Sequence, residues 1–329
     1  MSTVTIPLGP FGLIRRIGRG GMAEVWSGVH ITQGVPVAVK VMTGERLRDA
    51  QYREAFRNEV QAVASLDHPG IVMVLDHGEV SAESETASKG LLPRGSPYLA
   101  MELADGGTLL DTAREVEDWN TLRSILFALL DAMAHAHALG VVHRDLKPSN
   151  VLIFGAGADR QLKLADFGLA QAVEAIQVLP DSSDFVCGTP SYMAPEQIRG
   201  EWRDYGAWTD LYGLGSLAWM IATGKPPFYD AGLLELVRRQ LCEEPPDLQP
   251  LFPVPAGFEA WLRRLLEKEP GHRFVRAADA AWSLRGLGSV SAPQPFVTTV
   301  GNDDDPTEVI APEHMRSEEA LTTAASGRP

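Results

Sequence analysis

Cysteine is scarce in this sequence: Cys187 and Cys242 are the two thiols in 329 residues. Two thiols cannot build a disulfide framework or a four-thiolate zinc site, and a reducing, cytoplasmic setting fits. Long apolar runs are missing too. The most apolar stretch, residues 211–223, falls short of the about 20 residues that a membrane span needs. Residues 1–16, MSTVTIPLGPFGLIRR, lack the charged start and continuous apolar core of a signal peptide. No membrane segment is expected, which leaves recruitment by a partner open. Basic charge is in deficit: 29 Lys and Arg stand against 43 Asp and Glu, a net charge of -14. That balance argues against a general nucleic-acid binder, whose affinity rests on a basic surface. What remains is globular composition, with 45% hydrophobic and 22% charged residues. At about 150 residues per domain, the length suits two domains or one two-lobed unit.

The N-terminal third reads mainly as strands. Residues 11–16, 24–29 and 36–42 are short runs rich in β-branched residues, separated by glycine-bearing turns. One helical pattern interrupts them over 47–66, where Phe56, Val60 and Val63 recur at helical spacing. Residues 79–97 are polar and small and are expected to form a long exposed connection between two strands. After residue 105 the pattern turns helical. Residues 121–139 form an amphipathic helix ended by Gly140, and the nearly all-apolar 209–223 form a buried helix with Thr209 as its cap and Gly224 as its stop. Further helices fit 231–243, 257–267 and 276–285. A strand-rich part followed by a helix-rich part implies two lobes with a cleft between them. From 287 to Pro329 the composition shifts, with Asp303-Asp304-Asp305, scattered Ser, Thr and Pro, and seven acidic against two basic residues. This segment is expected to be a flexible tail.

Four motifs carry chemistry. Gly18 and Gly20 in IGRGGMAEV stand at the spacing with which a glycine turn brings backbone N–H groups close to phosphates. A dinucleotide fold would need that turn to open a helix, yet a strand follows, so that reading fails; Ala23 stands where a third glycine would. Alone, the signal is weak and an ordinary tight hairpin is the better reading. Lys40 ends the apolar strand of VAVK. It is either a snorkelling surface lysine or a cation on the α- and β-phosphates of ATP, with Glu59 on the following helical stretch as its carboxylate. HRDLKPSN, residues 143–150, is the strongest signal. Asp145 is placed to orient a hydroxyl and accept its proton, Lys147 to neutralise a transferring phosphoryl group, and Asn150 to ligate a metal through its amide oxygen. Asp166 of the DFG sequence supplies a matching hard oxygen of the kind Mg2+ prefers.

Together with GTPSYMAPE (188–196), WTDLYGLGSLAW (208–219), TGKPPF (223–228) and KEPGHRF (268–274), these motifs make the chain resemble the eukaryotic-like, or Hanks-type, protein kinases over residues 11–286. The resemblance implies an α+β bilobal fold: a small antiparallel sheet lobe with one key helix and a hinge (11–104), and a larger, mainly helical lobe (105–286). Residues 1–286 would form one kinase domain and 287–329 its tail. It implies ATP with Mg2+, or Mn2+ in its place, between the lobes. Ile17, Gly18 and Gly20 would roof the nucleotide, Val25, Ala38 and Leu152 would sandwich the adenine, Met101 would be the gatekeeper, and Glu102 to Ala104 the hinge. Val63, Val74, His143 and Phe167 look like the regulatory stack, Asp210 like the buttress of the catalytic loop, and Glu196 with Arg273 like the buried ion pair of the large lobe.

Lys147 and Thr189 match the serine/threonine pattern, so the expected reaction is transfer of the γ-phosphoryl group to Ser or Thr of proteins, with autophosphorylation, in bacterial signal transduction. GGMAEV and TGKPPF look most like the bacterial branch. Arg144 beside the catalytic Asp would bind a phosphorylated activation-loop residue. Ser182, Ser183 and Thr189 are on offer, although Ser182 and Ser183 depart from the threonine pair common in bacterial relatives, and Thr189 fits the peptide site better than the switch. Thr307, with Ile310 three residues later, would suit a forkhead-associated domain once phosphorylated, and the resemblance leaves a homodimer open. A pseudokinase is disfavoured because no catalytic position is degraded, and an antibiotic phosphotransferase because those lack the GTPSYMAPE segment. His135 and His137, two apart on a helix, point away from each other and do not suit a metal site. Trp202, Trp208 and Trp219 are expected to pack in the core.

Overall fold

The computed structural model describes residues 5–20, 23–43, 54, 60–167, 190–229 and 232–288. Glu59, Ser182, Ser183, Cys187, Thr189 and Thr307 lie outside the described residues.

Six strands form one antiparallel sheet in the order β1-β2-β3-β4-β6-β5: β1 (Ile6–Leu8), β2 (Phe11–Arg19), β3 (Ala23–His30), β4 (Pro36–Met42), β5 (Val74–Glu79) and β6 (Pro97–Glu102). Strand periodicity sorts the side chains of this sheet into two cores. Val37, Val39 and Val41 of β4 join Trp26, Tyr98 and Ala100 on one face. Ala38 and Met42 join Leu99, Met101 and Ala165 on the other, with Val25 and Leu152 packed against them. Lys40 falls in the second register, between Ala38 and Met42, which is why a lysine of a buried strand is aimed at that face. Residues 60–64 are helical (α1), and their Val60 enters the second core.

The structure departs from the sequence reading over 79–97. The segment holds a helix, α2 (Ala82–Ala87), and buries Val80, Ser84, Ser88, Leu92 and Ser96. The Ser81 hydroxyl caps the helix by accepting the Ser84 N–H at 3.1 Å, and the Ser88 hydroxyl donates to the Glu85 carbonyl at 2.9 Å while accepting the Leu92 N–H at 3.1 Å. Serines satisfied in this way bury at little cost, so Val80 and Leu92 can complete the first core.

The helical part begins with α3 (Leu109–Thr112) and α4 (Trp119–Ala138), whose first turn is capped by Asp118 accepting the Asn120 and Thr121 N–H groups at 2.8 and 3.0 Å. A two-stranded ribbon follows, β7 (Val151–Phe154) with β8 (Gln161–Leu164). Then come α5 (Pro195–Arg199), α6 (Ala207–Thr223), α7 (Leu233–Cys242), α8 (Phe258–Leu265) and α9 (Ala277–Arg285). Helix α6 starts two residues before Thr209, with Gly206 as its N-cap residue. Thr209 instead sits in the first turn, where its hydroxyl accepts the Gly206 N–H at 3.1 Å and donates to Glu196 at 2.9 Å. The core of this part is built on α4 and α6, with Trp219 buried in it. Trp202 is not: it is 65% exposed and lies under the Arg203 guanidinium at 4.3 Å. Among the described residues no helix is long and apolar enough to cross a membrane.

Candidate active site

Gly18 pairs with Val25, and the Gly20 N–H donates to the Ala23 carbonyl at 2.8 Å. Ile17 stands 41% exposed at the end of β2. Across the sheet, Val25, Ala38, Met101 and Leu152 contribute to one apolar surface, as an adenine-sized ring between sheet and ribbon requires. Leu103 packs against the same core and half-buried Ala104 follows it.

Lys40 meets Asp166 at 2.8 Å, with side chains 15% and 31% exposed. Burial pushes the Asp166 carboxyl up, but the charge and hydrogen bond of Lys40, with help from the charge of Lys147, outweigh it and hold the group below the usual carboxylate range. Asp166 therefore stays anionic, as a metal ligand must be. Both Asp145 oxygens accept from the Lys147 ammonium, at 3.0 and 2.8 Å. The Asn150 amide nitrogen donates to the Asp145 carboxylate at 2.9 Å and to its carbonyl at 2.8 Å. That commits the NH2 end of Asn150 and leaves its Oδ1 as the acceptor end. The Ala165 N–H donates to the Asn150 carbonyl at 2.9 Å, tying the catalytic loop to the residue before Asp166.

The loop is braced from below. Asp210, at the start of α6, accepts the His143 N–H at 2.7 Å and the Arg144 N–H at 2.6 Å, while its Oδ2 also bonds His137 Nε2 at 2.7 Å. Arg144 has φ of 64°, a strained conformation for a residue with a side chain. It is held at both ends, since Gln197 Nε2 donates to its carbonyl at 2.7 Å. His143 Nδ1 accepts the Asp145 N–H at 3.3 Å, so Nε2 carries the proton and donates to the Ala165 carbonyl at 2.9 Å. Its ring lies 4.5 Å from that of Phe167, and Val63 and Phe167 enter the same core with Val74 packed on it. Farther out, Glu196 and Arg273 form a bidentate pair at 2.8 and 2.9 Å.

Two features escaped the sequence reading. The Glu102 side chain is more than a part of the hinge: both its oxygens accept from Lys163 at 2.8 Å, and one also accepts the Met73 N–H at 2.8 Å. Lys163 lies opposite Leu152 in the β7–β8 register, so one ion pair joins the hinge to the strand that leads into Asp166. The available signal was a lysine at a half-buried position of a short strand, QLKL. His137, no metal ligand in the sequence reading, is a partner of Asp210, while the His135 ring lies tilted against that of His68, centroids 5.1 Å apart.

The protein kinase domain family matches residues 11–280 of the chain. A probable serine/threonine-protein kinase of Corynebacterium efficiens, CE0033, is 31% identical over 94% of this chain and 46% of its own length. Serine/threonine-protein kinase PknA of Mycobacterium tuberculosis is 37% identical over 84% and 62%, and Pkn1 of Myxococcus xanthus 36% identical over 84% and 38%. The chain thus spans roughly half the length of these curated relatives. Among solved structures, the kinase domain of M. tuberculosis PknI aligns with a TM-score of 0.65 at 26% identity, covering 87% of this chain and 99% of that one. Motif set, two-lobed architecture and kinship agree: the chain belongs to the Hanks-type protein kinase family, among its bacterial serine/threonine members.

Proposed function

We propose that the chain transfers the γ-phosphoryl group of ATP to serine or threonine hydroxyls of proteins, itself included, as a cytoplasmic step of bacterial signalling. The observation that carries this is the junction at Asp145, whose carboxylate is bonded at once to Lys147 and Asn150. One carboxylate then touches both the cation meant for the transferring phosphoryl group and the amide meant for the metal. Asp145 orients the acceptor hydroxyl and takes its proton, and Lys147 balances charge on the phosphoryl oxygens. Lys40 offers a cation to the nucleotide phosphates and keeps Asp166 ionised. Protein kinases use ATP with a divalent ion. Asn150 Oδ1 and the Asp166 carboxylate are hard oxygens that suit Mg2+, with Mn2+ as the alternative. When bound, that ion would neutralise phosphate charge and fix the reacting group in line. Ile17, Gly18 and Gly20 cover the phosphates, and Val25, Ala38, Met101, Glu102, Ala104 and Leu152 hold the adenine.

Residues 1–286 are read as the kinase domain and 287–329 as its tail. Ser182, Ser183 and Thr189 are the candidate modification sites beside Arg144. Thr307 is the candidate for a forkhead-associated partner, and a homodimer is the candidate assembly. Incubation of the full chain with ATP and Mg2+, followed by intact mass and site mapping, tests the reading beside Asp145→Ala. Phosphate on wild type alone supports it. Equal incorporation by both proteins would show that Asp145 is not the catalytic carboxylate.

A further inference from the structure

A groove of about 770 Å³ in the helical part, distinct from the nucleotide side of the site, is lined by the exposed apolar residues Leu110 of α3, Tyr229 and Leu251. Buried Met220 of α6 lines it as well. Single apolar side chains in water are ordinary, but three that converge on one concavity mark a place for another apolar group.

The groove adjoins the catalytic loop. Ser191 and Tyr192 form part of its wall. A Cβ added to Gly213 would stand 3.6 Å from the Tyr192 carbonyl oxygen and 3.2 Å from that of Leu146, so the two backbones meet at one glycine. Leu146 is the residue after Asp145. The Pro190 carbonyl, next along the same wall, accepts from Gln240 Nε2 at 3.1 Å, and Gln240 in turn accepts the Tyr212 hydroxyl. Both side chains are buried, so the wall is anchored to α6 and α7.

Charge decides what the groove can take. Asp111 lines it with one oxygen, Oδ2, accepting the Thr108 N–H at 2.9 Å and the Thr108 hydroxyl at 2.7 Å. Arg114 lines the same groove as a cation. Asp111 and Arg114 carry opposite charges, so the groove offers a basic side chain no net attraction. An aliphatic or aromatic one would meet Leu110, Tyr229 and Leu251. The net charge of -14, which by itself points to basic substrates, does not describe this surface.

We infer that this groove seats a large apolar side chain of the protein substrate near its phosphoacceptor, and so selects substrates by an aliphatic or aromatic residue rather than a basic one. The inference rests on the kinase reading above. The test uses the full chain with ATP, Mg2+ and peptides of one acceptor sequence whose flanking positions carry Leu, Phe, Arg or Asp in turn. One flanking position should prefer Leu or Phe over Arg by at least about tenfold in kcat/KM, the scale of burying such a side chain. Leu110→Glu and Leu251→Glu, at exposed positions, should erase that preference without changing KM for ATP. Leu234→Glu, exposed on α7 and outside the groove, should keep it. Equal rates for all flanks, or a preference that survives both groove substitutions, would overturn the inference. Anisotropy of the fluorescein-labelled Leu peptide needs no turnover and separates the two readings. Binding that Leu110→Glu weakens, with no transfer to any peptide, would sink the kinase reading and keep the groove. Transfer without preference would do the reverse, and neither binding nor transfer would overturn both.

Discussion

Opposite charges meet in two places in this protein, on different terms. At the candidate reaction site Lys40 faces Asp166 and Lys147 faces Asp145, and these four side chains are 15–31% exposed. In the helical core Arg273 is 0% and Glu196 1% exposed. There each of the guanidinium N–H groups has an acceptor: Glu196 twice, and the carbonyls of Glu267, Trp208 and Lys268. The difference follows from what each set is for. A buried ion pair overcomes its desolvation only when its hydrogen bonding is saturated, so the core pair spends all its capacity on the fold. Charges that must receive a substrate keep water access instead.

The sharpest way to break that comparison is to remove one charge from each set. Asp145→Ala should lower kcat by about 10^3-fold or more, within the range for losing a positioned acid–base group. Its unfolding free energy should stay within about 1 kcal/mol of wild type, as for other partly exposed sites. Arg273→Met should do the opposite. It leaves the Glu196 carboxylate buried with the Thr209 hydroxyl, and should cost about 3–5 kcal/mol in urea unfolding. Adding Glu196→Leu, which removes the second charge, should recover much of that loss. A destabilised Asp145→Ala, or an Arg273→Met that unfolds like wild type, would erase the distinction.

The two sets were unequally legible in the sequence. Asp145, Lys147, Asn150 and Asp166 lie within 22 residues, at the two chain ends of one two-stranded ribbon, so their spacing carried most of their geometry. Lys40 at the end of VAVK reads in sequence either as a snorkelling surface lysine or as a cation for phosphates; the fold puts it on the face of Ala38 and Met42. The strands at 11–16, 24–29 and 36–42 and the main helices were visible in their apolar periods. Contacts that bridge distant segments were not visible. Nothing local to Glu102 announces Lys163, 61 residues on. The buried serines of 79–97 look in sequence like solvated ones, because their burial depends on hydrogen bonds that only the fold supplies. Trp202 misled in the opposite sense: its size suggested a core position, and Arg203 stacks on it in solvent instead.

Lys268 sharpens the comparison from the other side. It stands in the same KEPGHRF stretch as Arg273, yet its ammonium is buried without a hydrogen-bond partner, 4.7 Å from the Phe228 ring and 5.8 Å from that of Tyr212. Burial lowers its pKa from 10.5 to about 8. Here the unfolded chain holds the proton to higher pH than the folded one. The penalty for the buried charge is therefore fully present below about pH 8 and is relieved as pH rises toward 10.5. Lys268→Met should stabilise the protein by about 1–2 kcal/mol at pH 7, after allowance for the aromatic contacts and partial solvation. The advantage should shrink between pH 8 and 10. A constant advantage across that range would mean that packing, not charge, separates the two proteins.

The smallest expected effect concerns the pair that falls between the two sets. Lys163 and Glu102 are 15% and 19% exposed, and they touch neither an acceptor hydroxyl nor the helical core. Lys163 also lies over the Phe154 ring at 4.7 Å, so its ammonium is fixed by a carboxylate, a ring and the ribbon that carries Leu152. The pair thus ties Glu102 to the strand opposite Leu152, which under the proposed function is a job in nucleotide binding rather than in transfer. Lys163→Gln should raise KM for ATP by about threefold to tenfold, the scale of a partly exposed ion pair, and leave kcat nearly unchanged. Lys163→Arg keeps the charge and should recover most of the affinity. If KM holds while the unfolding free energy drops, Lys163 belongs with Arg273 among the charges that serve the fold. If kcat falls instead, the strand running into Asp166 is being moved, and the pair belongs with the reaction site.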